Sequence, residues 1–135
     1  MGLSVTLGAE STVSPGTELR IESKSPTSAS GVVFEDDGTT GYLYGVDHAD
    51  SQNLIQDAML IYDVAQLPNR TPAQLQLVWS RDGLKAALLI NGHPMAVFDF
   101  SERRGYCRTG FPPPMHTGFS KEGHAWDDRA LDLFR

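Results

Sequence analysis

The chain has 135 residues, of which 40% are hydrophobic and 21% are charged. This length and composition fit one folded domain over residues 1–135 and exclude a disordered chain of low hydrophobicity. The formal net charge of -6 argues against nucleic-acid binding, which requires basic side chains to neutralise phosphates.

The sequence shows no membrane or secretory feature. No run approaches the roughly 18 apolar residues of a membrane span, so no membrane partner is expected. The first residues lack the basic region and the long apolar stretch of a secretory signal. The one cysteine, Cys107, cannot form an internal disulfide. We therefore expect a cytoplasmic protein.

Alternation of apolar and polar residues, bounded by turn residues, predicts strands along most of the chain. The first two predicted strands cover residues 3–7 and 18–22, separated by a loop, "STVSPG". Residues 31–35 and 41–46 then predict a hairpin, with Tyr42 and Tyr44 on one face of its second arm. Residues 58–64 predict a further strand, and "SQNLIQDAM" before it is compatible with a helical turn.

The clearest pattern covers residues 74–100, where three apolar runs are joined by "SRDG" and "NG". Asp-Gly and Asn-Gly supply the positive φ angles of tight hairpins, so this section predicts a three-stranded antiparallel meander. Its middle strand, "LKAALLI", is apolar on both faces and requires a covering layer. In the tail, Trp126, Ala130, Leu133 and Phe134 have the spacing of one helical face. The predicted fold is mainly β (α+β), an antiparallel, β-sandwich-like meander of hairpins with a short C-terminal helix packed on it.

Acidic residues are concentrated in the middle of the chain. Between Lys24 and Arg70 there is no lysine or arginine, whereas seven carboxylates occur there. Such a surface attracts a basic partner, although it equally fits a solvated surface that keeps the protein soluble. The candidate partner-binding residues are Glu35, Asp36, Asp37, Asp47 and Asp50.

The cluster Glu35-Asp36-Asp37-Gly38 lacks the spacing of a calcium loop, which needs oxygen ligands at alternate positions. Adjacent strand residues point to opposite faces, so its carboxylates do not form an acid–base pair. The favoured interpretation is a hairpin turn whose aspartates cap backbone N–H groups, with a functional acidic surface as the alternative. The four histidines have no metal-binding spacing. No catalytic residue, metal or cofactor is predicted.

A basic and aromatic segment follows the meander. Arg104, Tyr106 and Arg108 would share one face of a strand, and such a row suits carboxylate or phosphate recognition, so they are candidate ligand-binding residues. The alternative is that the arginines pair with the acidic middle of the same chain. Cys107 could be a nucleophile beside these arginines, but a lone cysteine on a strand is more often a small buried residue.

Five stretches carry a family resemblance: "GVVFEDDGTTGYLYGVD", "DAMLIYDV", "VWSRDGLKAALLINGHPMAVFDF", "RGYCRTGFPPP" and "HAWDDRALDLF". Together they resemble the bacterial family called domain of unknown function 2251, over residues 30–134. The resemblance implies no established activity, substrate or catalytic residue. Family members tend to have histidine where this chain has Leu60 and Met95, which counts against a histidine-based activity at either position.

Two functional hypotheses result. The first is a non-enzymatic protein-binding module and, by analogy with other small acidic bacterial proteins, an immunity protein whose acidic face neutralises a basic toxin. The alternative is a small enzyme or ligand-binding domain that uses Arg104, Tyr106, Cys107 and Arg108, which requires a concave pocket where these side chains converge. A homodimer formed through a sheet edge is a third possibility.

Overall fold

The computed structural model describes residues 4–115 and 118–135. In these residues nine strands form two antiparallel sheets, which confirms the mainly β fold. The strands are β1 (Val5–Val13), β2 (Leu19–Lys24), β3 (Ser30–Asp36), β4 (Thr40–Asp47), β5 (Ile55–Asp63), β6 (Ala73–Ser80), β7 (Lys85–Ile90), β8 (His93–Asp99) and β9 (Arg104–Cys107). The five-stranded sheet has the order β1-β6-β7-β8-β9, and the four-stranded sheet has the order β2-β3-β4-β5.

The main hydrophobic core lies between the two sheets. Its largest buried side chains include Phe34, Leu43 and Met59 from the four-stranded sheet and Leu77, Trp79 and Phe98 from the five-stranded sheet. Trp79 also links the sheets by a polar contact, because its indole N–H donates a hydrogen bond of 2.9 Å to the hydroxyl of Ser23 on β2. Each sheet therefore buries its inner face against the other.

The predicted meander is confirmed as β6, β7 and β8. Asn91 and Gly92 adopt φ angles of 50° and 79°, as a tight two-residue hairpin turn requires. β7 is covered on both faces, as its sequence predicted. Ala86 and Leu88 lie in the main core, whereas Ala87 packs with the C-terminal tail on the outer face of the five-stranded sheet.

The C-terminal tail packs on the sheet as predicted, but its helix is a 3-10 helix, Asp128–Phe134. Asp127 caps this helix, since its carboxylate accepts a hydrogen bond of 2.9 Å from the Arg129 N–H. Ala130 and Phe134 are buried, and Trp126 precedes the helix. The apolar tail residues are therefore the ones predicted, with a tighter helical geometry.

Two predicted boundaries are corrected. β1 continues to Val13, because the end of this strand pairs with β6, so the first half of "STVSPG" is strand and not loop. Leu3, in the predicted first strand, lies outside the described residues. β5 begins at Ile55, so strand replaces the helical turn considered before Ala58.

A second 3-10 helix covers Val64–Gln66. Within residues 4–115 and 118–135, neither helix is long and apolar enough to cross a membrane.

Candidate functional site

The acidic run at the β3–β4 hairpin separates into a buried and an exposed part. Asp36 is 1% exposed. Its carboxylate accepts hydrogen bonds from the N–H groups of Gly16 and Gly38, over 2.9 and 2.8 Å, and from the Tyr62 hydroxyl over 2.6 Å. Burial and the hydrogen bond to Asp36 raise the pKa of Tyr62. Asp36 therefore stabilises the interior of the fold. Because it is buried, the prediction that it binds a partner is corrected.

The exposed aspartates cap turns. Asp37 accepts hydrogen bonds of 2.9 Å from the N–H groups of Thr40 and Thr39, and these bonds lower the pKa of Asp37. This is the capped hairpin turn that the sequence favoured. Asp47 accepts from the Ala49 N–H in the β4–β5 loop.

Asp50 caps the same loop, with hydrogen bonds from the N–H groups of Asn53 and Gln52 that lower the pKa of Asp50. Asp37 lies at one end of β4 and Asp47 at the other. A strand of this length spans roughly 25 Å, so the acidic candidates form two groups at opposite ends of the four-stranded sheet.

Two tyrosines connect these groups across the outer face of the four-stranded sheet. The pairing of β2, β3 and β4 places Glu35 beside Tyr42, and Val33 beside Tyr44. The two tyrosine rings stack at 6.1 Å with an interplanar angle of 25°. Burial and the nearby charges of Glu35 and Asp37 raise the pKa of Tyr44. We call this surface the tyrosine face, defined by Arg20, Glu22, Val33, Glu35, Tyr42 and Tyr44.

The tyrosine face contains a concavity of about 410 Å³. Apolar side chains at one side of it are unusually accessible, with Leu54 48% and Ile55 58% exposed. The carboxylates of Glu22 and Glu35 also line it. Glu22 pairs with Arg20 over 3.5 Å in a mostly exposed ion pair, which contributes little to stability. In the part of the chain that the structure describes, Glu35 has neither an ion pair nor a side-chain hydrogen bond.

Arg104 and Tyr106 lie in β9, and Arg108 follows its last residue, but the ionic partners of the two arginines differ from the expected ones. Arg104 lies 3.4 Å from Glu122, and Arg108 lies 3.9 Å from Asp128. Both acids belong to the C-terminal segment and not to the acidic middle of the chain. The reason is the topology, because β9 belongs to the five-stranded sheet whereas the acidic middle forms the four-stranded sheet.

Aromatic rings lie against the guanidinium groups of both arginines. The Arg104 guanidinium lies 4.9 Å from the Tyr106 ring centroid, and the Arg108 guanidinium lies 3.9 Å from that of Trp126. Arg108 Nε also donates to the Pro94 carbonyl over 3.0 Å. Of these contacts, the one between Arg108 and Trp126 joins the C-terminal tail to the five-stranded sheet.

Cys107 points away from these arginines into the main core, where it is inaccessible to solvent. Its Sγ lies 3.4 Å from the Thr109 hydroxyl and 3.6 Å from the Phe111 carbonyl. The pocket required by the alternative hypothesis, in which Cys107 converges with Arg104, Tyr106 and Arg108, is therefore not formed.

His124 and Asp57, which are far apart in the chain, form a buried pair that no local sequence pattern indicates. His124 Nε2 lies 2.8 Å from the Asp57 carboxylate, and Nδ1 lies 2.6 Å from the Pro112 carbonyl. Because two acceptors face the two ring nitrogens, the imidazolium form satisfies both. Burial alone lowers the pKa of His124, but its bonds to Asp57 and Pro112 outweigh burial and the pKa is raised. Among residues 4–115 and 118–135, no group of three acidic, histidine or cysteine side chains could hold a metal ion.

Comparisons with known proteins give a family but no activity. No solved structure gives a significant match. A protein of Haemophilus influenzae (strain ATCC 51907 / DSM 11121 / KW20 / Rd), named "Uncharacterized protein", is 43% identical over 84 residues, which are 62% of this chain and 52% of that protein. This chain thus spans about half the length of that relative. The family described as "Uncharacterized protein conserved in bacteria (DUF2251)" matches residues 13–135, and the chain therefore belongs to this bacterial family.

Proposed function

We propose that this protein is a non-enzymatic binding module of the cytoplasm whose tyrosine face binds a basic protein, and that this partner is a toxin neutralised by the contact. The observation that carries the proposal is the pair of stacked tyrosines beside the unpaired carboxylate of Glu35. The C-terminal tail covers the outer face of the other sheet, whereas the tyrosine face lies at the surface.

The chemistry of the tyrosine face suits a protein contact. Tyrosine is enriched in protein interfaces and among the residues that dominate binding energy. An arginine or lysine of a partner can lie over a tyrosine ring and pair with Glu35 in a charge-assisted hydrogen bond. The accessible side chains of Leu54 and Ile55 add apolar area next to these polar groups.

The charge distribution favours a basic partner. Asp37 at one end of the sheet and Asp47 and Asp50 at the other extend the negative surface over roughly 25 Å, which is the width of one standard protein interface. Negative potential over such an area steers a basic protein and increases its association rate. An inhibitor of this kind needs no catalytic group, which agrees with the separation of Cys107 from Arg104 and Arg108.

The first experiment tests for the partner. The protein is expressed with the product of the neighbouring open reading frame and purified through a tag. We expect a basic protein to co-purify, and we expect co-expression to relieve the toxicity of that protein. The proposal is wrong if the neighbouring product neither binds nor is toxic.

The second experiment tests the surface. Glu35→Lys should weaken binding at least tenfold, because it replaces an attraction with a repulsion at the centre of the contact. Glu10→Lys makes the same charge change at an exposed position on the five-stranded sheet and should leave binding within about twofold, since rim and distant charges contribute little. Equal losses in the two variants would show that net charge, and not the tyrosine face, determines binding.

A further inference from the structure

A second concavity, of about 450 Å³, lies on the five-stranded sheet side, between the β8–β9 turn and the segment 118–122. It is lined by Glu102, Arg103, Arg104, Gly118, Lys121 and Glu122. We propose that this basic concavity binds a small anionic molecule that carries phosphate or carboxylate groups. The proposal is independent of the tyrosine face, which belongs to the other sheet.

The three cationic side chains of the basic concavity are only partly neutralised by the carboxylates around them. Within residues 4–115 and 118–135, Arg103 and Lys121 have no ion pair. Arg104 is paired with Glu122, over a long 3.4 Å contact whose carboxylate is 61% exposed. By comparison, Arg129 and Asp127 form a close pair at 2.8 Å. An entering anion can displace such an exposed carboxylate, because exposed ion pairs contribute little free energy.

The Arg104 guanidinium is incompletely satisfied by the protein. Among residues 4–115 and 118–135, its buried Nε has no hydrogen-bond partner, which is a costly arrangement for a charged group. The same guanidinium is held against the Tyr106 ring at 4.9 Å, so its orientation is restricted. An oxyanion in place of Glu122 can accept hydrogen bonds from the terminal nitrogens in the bidentate geometry that arginine favours.

The backbone around the basic concavity is also unusual. Arg103 and Ser120 both have positive φ angles, 56° and 53°, which cost free energy in residues other than glycine. A hydrogen bond of 2.8 Å from the Ser120 N–H to the Arg103 carbonyl joins these two residues. The Arg103 guanidinium lies 5.2 Å from the Phe119 ring centroid. The two walls are thus fixed before a ligand binds, which reduces the entropy lost on binding.

Size and polarity define the ligand class. The volume of about 450 Å³ is within the range of small-molecule sites, about 300–1,000 Å³. Three cationic side chains around it favour a molecule with more than one negative charge. Two carboxylates, Glu102 and Glu122, line the same space and weaken its attraction for any anion, so the proposed ligand is one whose several anionic groups contact more than one of the three cations.

The test is a titration of the full chain followed by amide NMR shifts. Sodium pyrophosphate and sodium citrate are the two probes, and sodium chloride at equal ionic strength is the blank. We expect saturable shifts at residues 102–104 and 118–122 with at least one probe and none with chloride. A stronger response to pyrophosphate identifies phosphate as the recognised group, and a stronger response to citrate identifies carboxylate.

Two variants with opposite expected effects on probe binding make this test more specific. Lys121→Gln removes one cation and should weaken binding about threefold to tenfold. Glu122→Gln removes the carboxylate that competes for Arg104 and should strengthen binding of the probe. Arg81→Gln, at an exposed position away from the basic concavity, is the matched control and should leave binding unchanged. The proposal is overturned if neither probe gives saturable shifts, or if Arg81→Gln weakens binding as much as Lys121→Gln.

Discussion

At the residue scale, Glu35 and Asp36 show how one strand position decides the role of a carboxylate. Glu35 lies on the tyrosine face, whereas Asp36 points between the sheets and accepts three hydrogen bonds. The Tyr62 hydroxyl and the Gly16 N–H that it binds come from other parts of the chain. Asp36 therefore connects the β3–β4 hairpin to β5 and to the β1–β2 turn.

The first prediction concerns the stability of this connection. Asp36→Ala leaves three donors without their acceptor and should lower the free energy of unfolding by about 3 kcal/mol or more. Glu35→Ala, one residue away, should change it by less than about 0.5 kcal/mol, as expected for a surface position. Urea denaturation measures both variants. Similar losses at the two positions would contradict the assignment of Asp36 to the interior and Glu35 to the surface.

The sequence could predict part of this arrangement. Strand alternation places Glu35 and Asp36 on opposite faces, and "DDG" predicts the turn with its capping aspartate. The local pattern does not indicate the hydrogen-bond partners of Asp36, since Gly16 and Tyr62 approach it only in the folded chain. The same limit explains why His124 and Asp57, or Arg104 and Glu122, could not be paired from local patterns.

The second prediction follows from His124. Its pKa in the folded protein is raised above the ordinary 6.5, so protonation favours the folded state. This contribution is fully present below about pH 6.5 and is lost as the pH rises through the raised pKa. The stability advantage of the unaltered chain over His124→Gln should therefore shrink as the pH rises above about 6.5, as measured by urea midpoints.

A companion variant separates this effect from other titrations. Asp57→Asn keeps the histidine but removes the carboxylate that faces it at 2.8 Å. Its stability should depend less on pH over the same range than that of the unaltered chain. If the stability of His124→Gln depends on pH as strongly as that of the unaltered chain, the pair of His124 and Asp57 is not the source of this dependence.

At the element scale, the C-terminal tail covers the outer face of the five-stranded sheet. The spacing of apolar residues in the tail fits the 3.6-residue period of an α-helix and correctly predicts that Ala130 and Phe134 are buried. This spacing does not distinguish a 3-10 helix from an α-helix, because side chains three positions apart lie on one side of either helix. β7, by contrast, was predictable because its flanking turns and its double-sided apolar pattern are local.

The third prediction tests the contribution of the tail. Phe134 is 2% exposed, and Phe134→Ala should lower the free energy of unfolding by roughly 3–5 kcal/mol, as expected for a buried aromatic residue. Arg135→Ala removes an exposed pair with Asp132 and should cost less than about 1 kcal/mol. Denaturation curves of the two variants are compared with that of the unaltered chain. A loss below 1 kcal/mol for Phe134→Ala would mean that the tail is not part of the cooperative fold.

At the scale of the whole molecule, the two sheets are covered differently. The five-stranded sheet is covered on its inner face by the other sheet and on its outer face by the tail. The four-stranded sheet has one covered face and the tyrosine face. The sequence predicted the layers, but it did not indicate which sheet the tail would cover. That choice determines which surface is left for a partner, and it separates the acidic tyrosine face from the basic concavity.

The last prediction tests whether the two sheets fold as a single domain, as the sequence predicts for residues 1–135. Core residues from both sheets pack in one cluster, and Trp79 is hydrogen-bonded to Ser23 across the sheets. Neither sheet can lose its partner without exposing its apolar inner face to water, so both should unfold together. In a Trp126→Phe background, the fluorescence of Trp79 should report the same urea midpoint as far-ultraviolet circular dichroism. Two separated transitions would show instead that the four-stranded and five-stranded sheets are independent folding units.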